Sequence, residues 1–254
     1  MTDGEIEIPA SQAATPTGRV TPVAPVWHTA VFVAILLGLA ALQGQPQLAG
    51  RADRLPSRIT LYTFTLGYEF FLLGYVWLFG LKLYKVPLAE IIGGKWRRWG
   101  DFWRDVGIAL LFWLVVGAVL ATLSFSLRFS GMEAAKFMLP ETAREVAVFV
   151  LLALTAGFCE EIIFRGYLQR QFTAWTGNVS AGVVLQAAVF GAAHLYQGVK
   201  GVIVITIYGA MFGILAAMRK SLRPGIMQHG AQDAFSGIAG IFLKKYHYLQ
   251  MIKF

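Results

Sequence analysis

The chain has 254 residues, 57% hydrophobic and only 14% charged, with a mean hydropathy of +0.60, which excludes an ordinary soluble globular domain and describes a polytopic membrane protein. Its net charge of +8 lies mainly in short connections between apolar runs, where anionic lipid accounts for it. No basic and aromatic module accompanies the charge, so nucleic acid is excluded as a partner.

Residues 1–26 carry Asp3, Glu5 and Glu7, then a Ser/Thr/Pro/Ala-rich run with Pro9, Pro16, Pro22 and Pro25. They lack an apolar period and read as a disordered tail. A secretory signal would begin basic, and its apolar run would start earlier. Apolar stretches follow at about 27–46, 58–81, 106–128, 144–168, 179–197, 200–218 and 222–243. Most approach the ~20 residues that cross ~30 Å of hydrocarbon. The expected fold is therefore an all-α transmembrane bundle of about seven spans, or eight if the last stretch breaks at Gly237 or Gly240.

Two connections are long. Residues 82–105 place Lys82, Lys85, Lys95, Arg97, Arg98 and Arg104 among Trp96, Trp99 and Trp103, the composition of a segment lying on the surface at headgroup level. The other is 129–143, with Glu133, Lys136 and Glu141. If 82–105 is cytoplasmic, then Arg170, Arg219, Lys220, Arg223 and the N-terminus are too, with Arg51, Arg54 and Arg58 opposite. No inverted-topology repeat of the transporter kind is visible. The domain organisation read from this is a tail at 1–26, N-terminal helices at 27–143 and a C-terminal unit at 144–254.

That C-terminal unit opens on Cys159-Glu160-Glu161-Ile162-Ile163-Phe164-Arg165-Gly166-Tyr167, two adjacent carboxylates and an arginine in an apolar helix. An acidic side chain at the bilayer centre costs ~2.5–3.5 kcal/mol even on the lenient insertion scale, so an intramembrane pair points to function. On an α-helix Glu161 and Arg165 share a face and can pair, while Glu160 projects about a quarter-turn away and stays free for chemistry as a general base. The plainer reading is a structural polar knot between helices. The lone cysteine, Cys159, excludes an intramolecular disulfide and a multi-cysteine zinc site and reads as a buried filler.

Partners for Glu160 must come from other helices. His194 closes Phe190-Gly191-Ala192-Ala193-His194, and His229 and Asp233 stand side by side in His229-Gly230-Ala231-Gln232-Asp233. One histidine in an apolar helix is ordinarily a satisfied core residue. Several costly residues on three helices are better explained as one shared polar pocket. Helical rise sets Glu160 and His229 at similar depths, ~15 and ~9 Å from the Arg170 and Arg223 end, whereas His194 fits only if its helix is tilted or begins late. His28 and His247 read as interfacial, Asn178-Val179-Ser180 as a tight connection despite its glycosylation-acceptor form, and Glu69 as a carboxylate with no evident partner beyond a pocket wall.

Glu160-Glu161-x-x-x-Arg165, Phe190-x-x-x-His194 and His229-x-x-x-Asp233, with Phe164-Arg165-Gly166-Tyr167-Leu168 after the double glutamate, resemble the ordered motifs of the CPBP family, the membrane-embedded CAAX proteases and bacteriocin-processing (Abi) enzymes. The resemblance covers about residues 144–243. It implies an intramembrane endopeptidase related to the type II CAAX prenyl endopeptidases, with 144–254 as its catalytic core. Asp233 stands where the eukaryotic members carry Asn, which bears on the prenyl substrate more than on hydrolysis. Carried over by motif, Glu160 activates a water, His194 orients it, and His229 and Asp233 stabilise the oxyanion or bind a metal. A divalent metal, zinc by ligand type, on Glu160, His194, His229 and Asp233 is one implication, and a metal-free glutamate mechanism is the other. No His-Glu-x-x-His motif decides between them.

The expectation is an integral multi-pass peptidase whose pocket opens toward the cytoplasm, in the plasma membrane if the source is bacterial. It cuts near the C-terminus of a membrane-associated protein or peptide, prenylated or not. The competing class is a non-catalytic membrane protein, an immunity factor, scaffold or ligand carrier, using the same polar pocket. A lipid-diphosphate enzyme would need more carboxylates and basic residues around the site.

Overall fold

The structure is a computed structural model that describes residues 20–43 and 56–245, helical throughout its regular elements and without a strand among those residues. Each of the seven apolar stretches contributes a long helix. These are α1 (Val26–Gln43), α2 (Arg58–Tyr75, continued as a π-helix over Val76–Lys82), α4 (Trp99–Leu127), α5 (Ala143–Glu160), α7 (Val179–Ala193), α8 (Gly198–Arg219) and α9 (Arg223–Lys245). The short α3 (Leu88–Ile92) and α6 (Gln169–Thr176) complete the set used below.

Four helical runs, Arg58–Lys82, Trp99–Leu127, Ala143–Thr176 and Leu195–Arg219, are long and apolar enough to cross a membrane, and two shorter apolar helices, Val26–Leu42 and Val179–Ala193, join them. The last helix has the length, at 23 residues, but is diluted by Gln228, His229, Gln232 and Asp233. It runs unbroken through Gly237 and Gly240. Large apolar side chains face outward, including Phe64, Trp99 and Leu114. Lipid gives a helix no reason to hide them.

Sequence-local chemistry sets the ends of the site helices. Thr142 caps α5 in a reciprocal box with Glu145: the Glu145 N–H donates to Thr142 Oγ1 at 3.2 Å, and the Thr142 N–H to Glu145 Oε2 at 3.1 Å. Asn178 starts α7 by accepting the Ala181 N–H at 3.1 Å, so the residue with glycosylation-acceptor form serves as a helix cap. The buried face of α2, Tyr62, Glu69 and Leu72, turns toward α5, where the Tyr62 and Phe149 rings meet at 5.5 Å.

Two sequence expectations change. His28 is fully buried, 2.6 Å from the Tyr167 hydroxyl and stacked on Tyr75, so it is no interfacial residue. Its polar partners come from helices far along the chain, which helix-border position could not disclose. His28 is one and the buried end of the expected tail is the other, while segment 82–105 keeps Trp96, Trp99 and Trp103 exposed and is divided by a short helix. Pro87 leads into α3, Gly93 and Gly94 take positive φ of 102° and 78° that end it, and α4 begins at Trp99. The Asp101 carboxylate accepts the N–H groups of Arg97 and Arg98 there, which starts the helix before its apolar run. Just before α1, Val23 and Ala24 of the expected tail are buried, their N–H groups donating to Gln171 Oε1 at 2.6 and 3.3 Å. Residues 1–19, Arg51, Arg54 and His247 lie outside the described residues.

Candidate active site

After Glu160 the α5 helix widens into a π-helix over Glu161–Leu168 before returning to α-helix in α6. Such widenings are uncommon and gather at functional sites. The α-helical spacing expected there is thus locally replaced, yet residues four apart still share a face. Arg165 Nη1 lies 3.0 Å from Glu161 Oε1, with both side chains at 1% exposure or less. The guanidinium also donates to the Gly209 carbonyl at 3.4 Å and lies over the rings of Phe190 and Phe212, 4.4 and 5.1 Å from their centroids. A buried cation so enclosed is fixed by charge, hydrogen bond and ring face together.

The α9 helix reaches this pair because glycine faces glycine where it crosses α5. A Cβ built on Gly157 would sit 2.8 Å from the Cα of Gly230 and 3.3 Å from the His229 carbonyl carbon. Only bare backbones pass that closely. The crossing sets His229 Nδ1 3.1 Å from Glu161 Oε1, the oxygen that also pairs with Arg165. Glu161 is therefore committed on both sides.

Glu160 is not. His229 Nε2 lies 3.6 Å from Glu160 Oε2 and 3.7 Å from Asp233 Oδ2, beyond ordinary hydrogen-bond length. The carboxylate of Glu161 accepts from Nδ1, so in a neutral ring Nε2 would turn its lone pair toward two more carboxylates. That arrangement calls for a shared proton or a cation between them. Exposure rises outward through the cluster, from 1% at Glu161 to 15% at Glu160 and 41% at Asp233. The buried ion pair is the floor, and the reactive carboxylates are its rim.

His194 caps the C-terminal end of α7, which starts at Val179 and so does not begin late. Its Nδ1 lies 2.8 Å from the Phe190 carbonyl. A carbonyl only accepts, so Nδ1 carries a hydrogen and Nε2 of the neutral ring is left with the lone pair. Phe190 ties the two histidines together, its ring 4.8 Å from His194 and 6.3 Å from His229. Asp233 is near enough to feel the charges of His194, His229 and Glu160. The six candidate site residues, Glu160, Glu161, Arg165, His194, His229 and Asp233, thus belong to one neighbourhood, with His194 at its edge.

Sequence reasoning left two residues unassigned that the fold brings close. Glu69 is buried on the α2 face toward α5, feels the charges of Glu160 and Asp233, and has one carboxylate oxygen without a hydrogen-bond partner. Its cost in an apolar span was the available signal. Tyr208 packs its ring 5.5 Å from His229, and its hydroxyl is buried without a partner. A tyrosine in an apolar helix gave little warning. Cys159 is buried, as a filler would be.

Carboxylate oxygens and imidazole nitrogen are the right donor types for zinc. Among the described residues, however, no group of three or more His, Cys, Asp or Glu side chains is arranged to hold a metal ion.

Residues 142–235 match the family model of type II CAAX prenyl endopeptidase Rce1-like sequences. The matched stretch contains all six motif residues and begins at the cap of α5. No curated protein and no solved structure matches the chain.

Proposed function

We propose that this integral membrane protein, whose residues 142–235 match the type II CAAX prenyl endopeptidase Rce1-like model, is an intramembrane endopeptidase that cuts a membrane-associated protein or peptide near its C-terminus by a glutamate-activated water. The observation that carries the reading is the division between neighbouring carboxylates. Glu161 is held by Arg165 and His229, while Glu160 keeps part of its surface open and meets His229 only at 3.6 Å.

Glu160 takes a proton from the water as its oxygen attacks the scissile carbonyl, and returns that proton to the leaving amine as the C–N bond breaks. His194, its Nδ1 tied to Phe190, offers Nε2 to orient the water. His229 and Asp233 face the developing oxyanion, and Asp233 serves there only while it carries a proton, since a bare carboxylate repels the charge. Glu161 and Arg165 hold His229 in place. The positive-inside rule assigns the basic end of the chain's helices, with Arg170, Arg219 and Arg223, to the cytoplasm.

The test is cleavage of fluorogenic peptides, with and without a prenylated cysteine, by the purified chain and by Glu160→Ala and His194→Ala. Turnover lost in both variants with unfolding temperatures preserved is the expected result. No cleavage by the parent chain, together with destabilisation by the substitutions, would return the cluster to a structural or ligand-binding role. The divalent metal implied by the resemblance, with Glu160, His194, His229 and Asp233 as its ligands, is tested by metal content of the same sample.

A further inference from the structure

The basic and aromatic residues between the second and third spans take no part in that reaction, yet they surround a built feature. A cavity of about 430 Å³ opens between the turn after α3, the C-terminal end of α5 and the start of α9. Its wall is apolar, with Phe158, Ile226 and Met227, and its mouth carries Lys95, Trp96 and Arg223. The volume lies within the ~300–1,000 Å³ of ligand pockets.

The mouth is rigid and electropositive. Arg223 is 12% exposed, with Nε 3.0 Å from Asp105 Oδ2, and it donates to Ser221 Oγ at 3.2 Å and to the Gly94 carbonyl at 3.4 Å. Its guanidinium lies 5.3 Å from the centre of the Trp96 ring, and the Trp96 indole N–H donates to the same Asp105 oxygen at 2.8 Å. Arg219 and Arg104 approach the other Asp105 oxygen at 3.8 and 3.9 Å. Arg104 is also 3.5 Å from Asp101, so three guanidinium groups meet two carboxylates and one positive charge is left in excess. No carboxylate among the described residues pairs with Lys95. A second cavity, of about 440 Å³, shares Trp96 and is lined by Arg97, Arg98 and Trp99. Trp96, Trp99 and Trp103 are exposed around it, as rings that anchor at the headgroup level are.

We propose that the first cavity is a binding site for one anionic phospholipid, its phosphate against Arg223 and Lys95 and an acyl chain over Phe158, Ile226 and Met227. A zwitterionic headgroup would leave the charge excess unmatched, and a free phosphate would leave the apolar wall empty. The inference does not depend on the peptidase reading, since it is read by binding alone.

The full chain is reconstituted in phosphatidylcholine nanodiscs containing a minor fraction of phosphatidylglycerol, returned to detergent, and examined by native mass spectrometry for retained lipid. Phosphatidylglycerol is expected to be retained over phosphatidylcholine, with Lys95→Gln lowering its retention by about fivefold, the effect of one cation at a membrane surface. Ile226→Trp and Met227→Trp fill the cavity at constant charge and are expected to abolish retention. Lys95 lies at the surface, so its variant folds even if those two do not. Equal retention of both lipids, or retention indifferent to Lys95→Gln, overturns the proposal. Displacement by millimolar inorganic phosphate, marking an anion site only, or by a farnesylated cysteine peptide, marking a substrate channel, overturns it equally.

Discussion

Two buried polar clusters lie along the same stretch of chain and are built in opposite ways. Around Tyr167, His28 Nδ1 and Thr29 Oγ1 lie 2.6 and 2.7 Å from the phenol oxygen, and Gln171 donates to Thr29 Oγ1 and to the Ala24 carbonyl at 2.8 Å. These links are short and need no charge, and of the cluster's side-chain atoms His28 Nε2 alone is buried without a hydrogen-bond partner. Around Glu160 the groups are ionisable, the separations from His229 are 3.6 and 3.7 Å, and the rim is open. A polar network that only holds helices together closes its hydrogen bonds, because each unmade one is costly. The second cluster leaves its contacts unmade at one edge. That is where a substrate and a water would complete them.

Exchanging groups between the two regimes tests this contrast. The largest effect is expected at Glu160: Glu160→Gln keeps the shape and removes the base, so turnover of the peptide substrate should fall by about 10²–10⁴. Thermal unfolding should scarcely move. A Glu160→Gln protein as active as its parent would place the base elsewhere. Next comes Arg165→Met, which strands Glu161 as an unpaired buried charge and should cost about 3–5 kcal/mol in stability, measured by unfolding in detergent. If it unfolds like the parent, the floor of the site is not ionic.

Gly157→Ala forces a methyl against the Gly230 backbone and should destabilise by about 1–3 kcal/mol. Because it pushes α9 from α5, activity per folded molecule should fall as well, and a loss of stability alone would show that the crossing does not set His229. The smallest effect is reserved for the closed cluster. Tyr167→Phe removes the hydroxyl shared by His28 and Thr29 and should cost about 1–3 kcal/mol while leaving turnover per folded molecule unchanged. A selective loss of turnover there would erase the distinction between the clusters.

Much of this was legible in the chain. The helical pairing of Glu161 with Arg165 followed from their spacing, and so did the sharing of a face by His229 and Asp233. The π-helix at Glu161–Leu168 was not legible, because widening a helix by one residue per turn leaves no mark in composition. His28 was misread for a related reason: a histidine at a span border looks the same whether it meets headgroups or a tyrosine from a helix 139 residues later. Composition marks the surface chemistry of 82–105, whereas its division at Gly93, at φ 102° against Ser221, is a backbone feature that composition does not express.

By itself the sequence determined which stretches are apolar helices and which side chains are too costly there to be idle, since transfer out of water is a property of each residue and its neighbours along the chain. Only the tertiary structure decided that His229 closes on Glu161 at 3.1 Å and stands off from Glu160 at 3.6 Å. That choice rests on how closely two helices cross. The closeness at Gly157 and Gly230 comes from two absent side chains 73 positions apart, whose meeting no local pattern records.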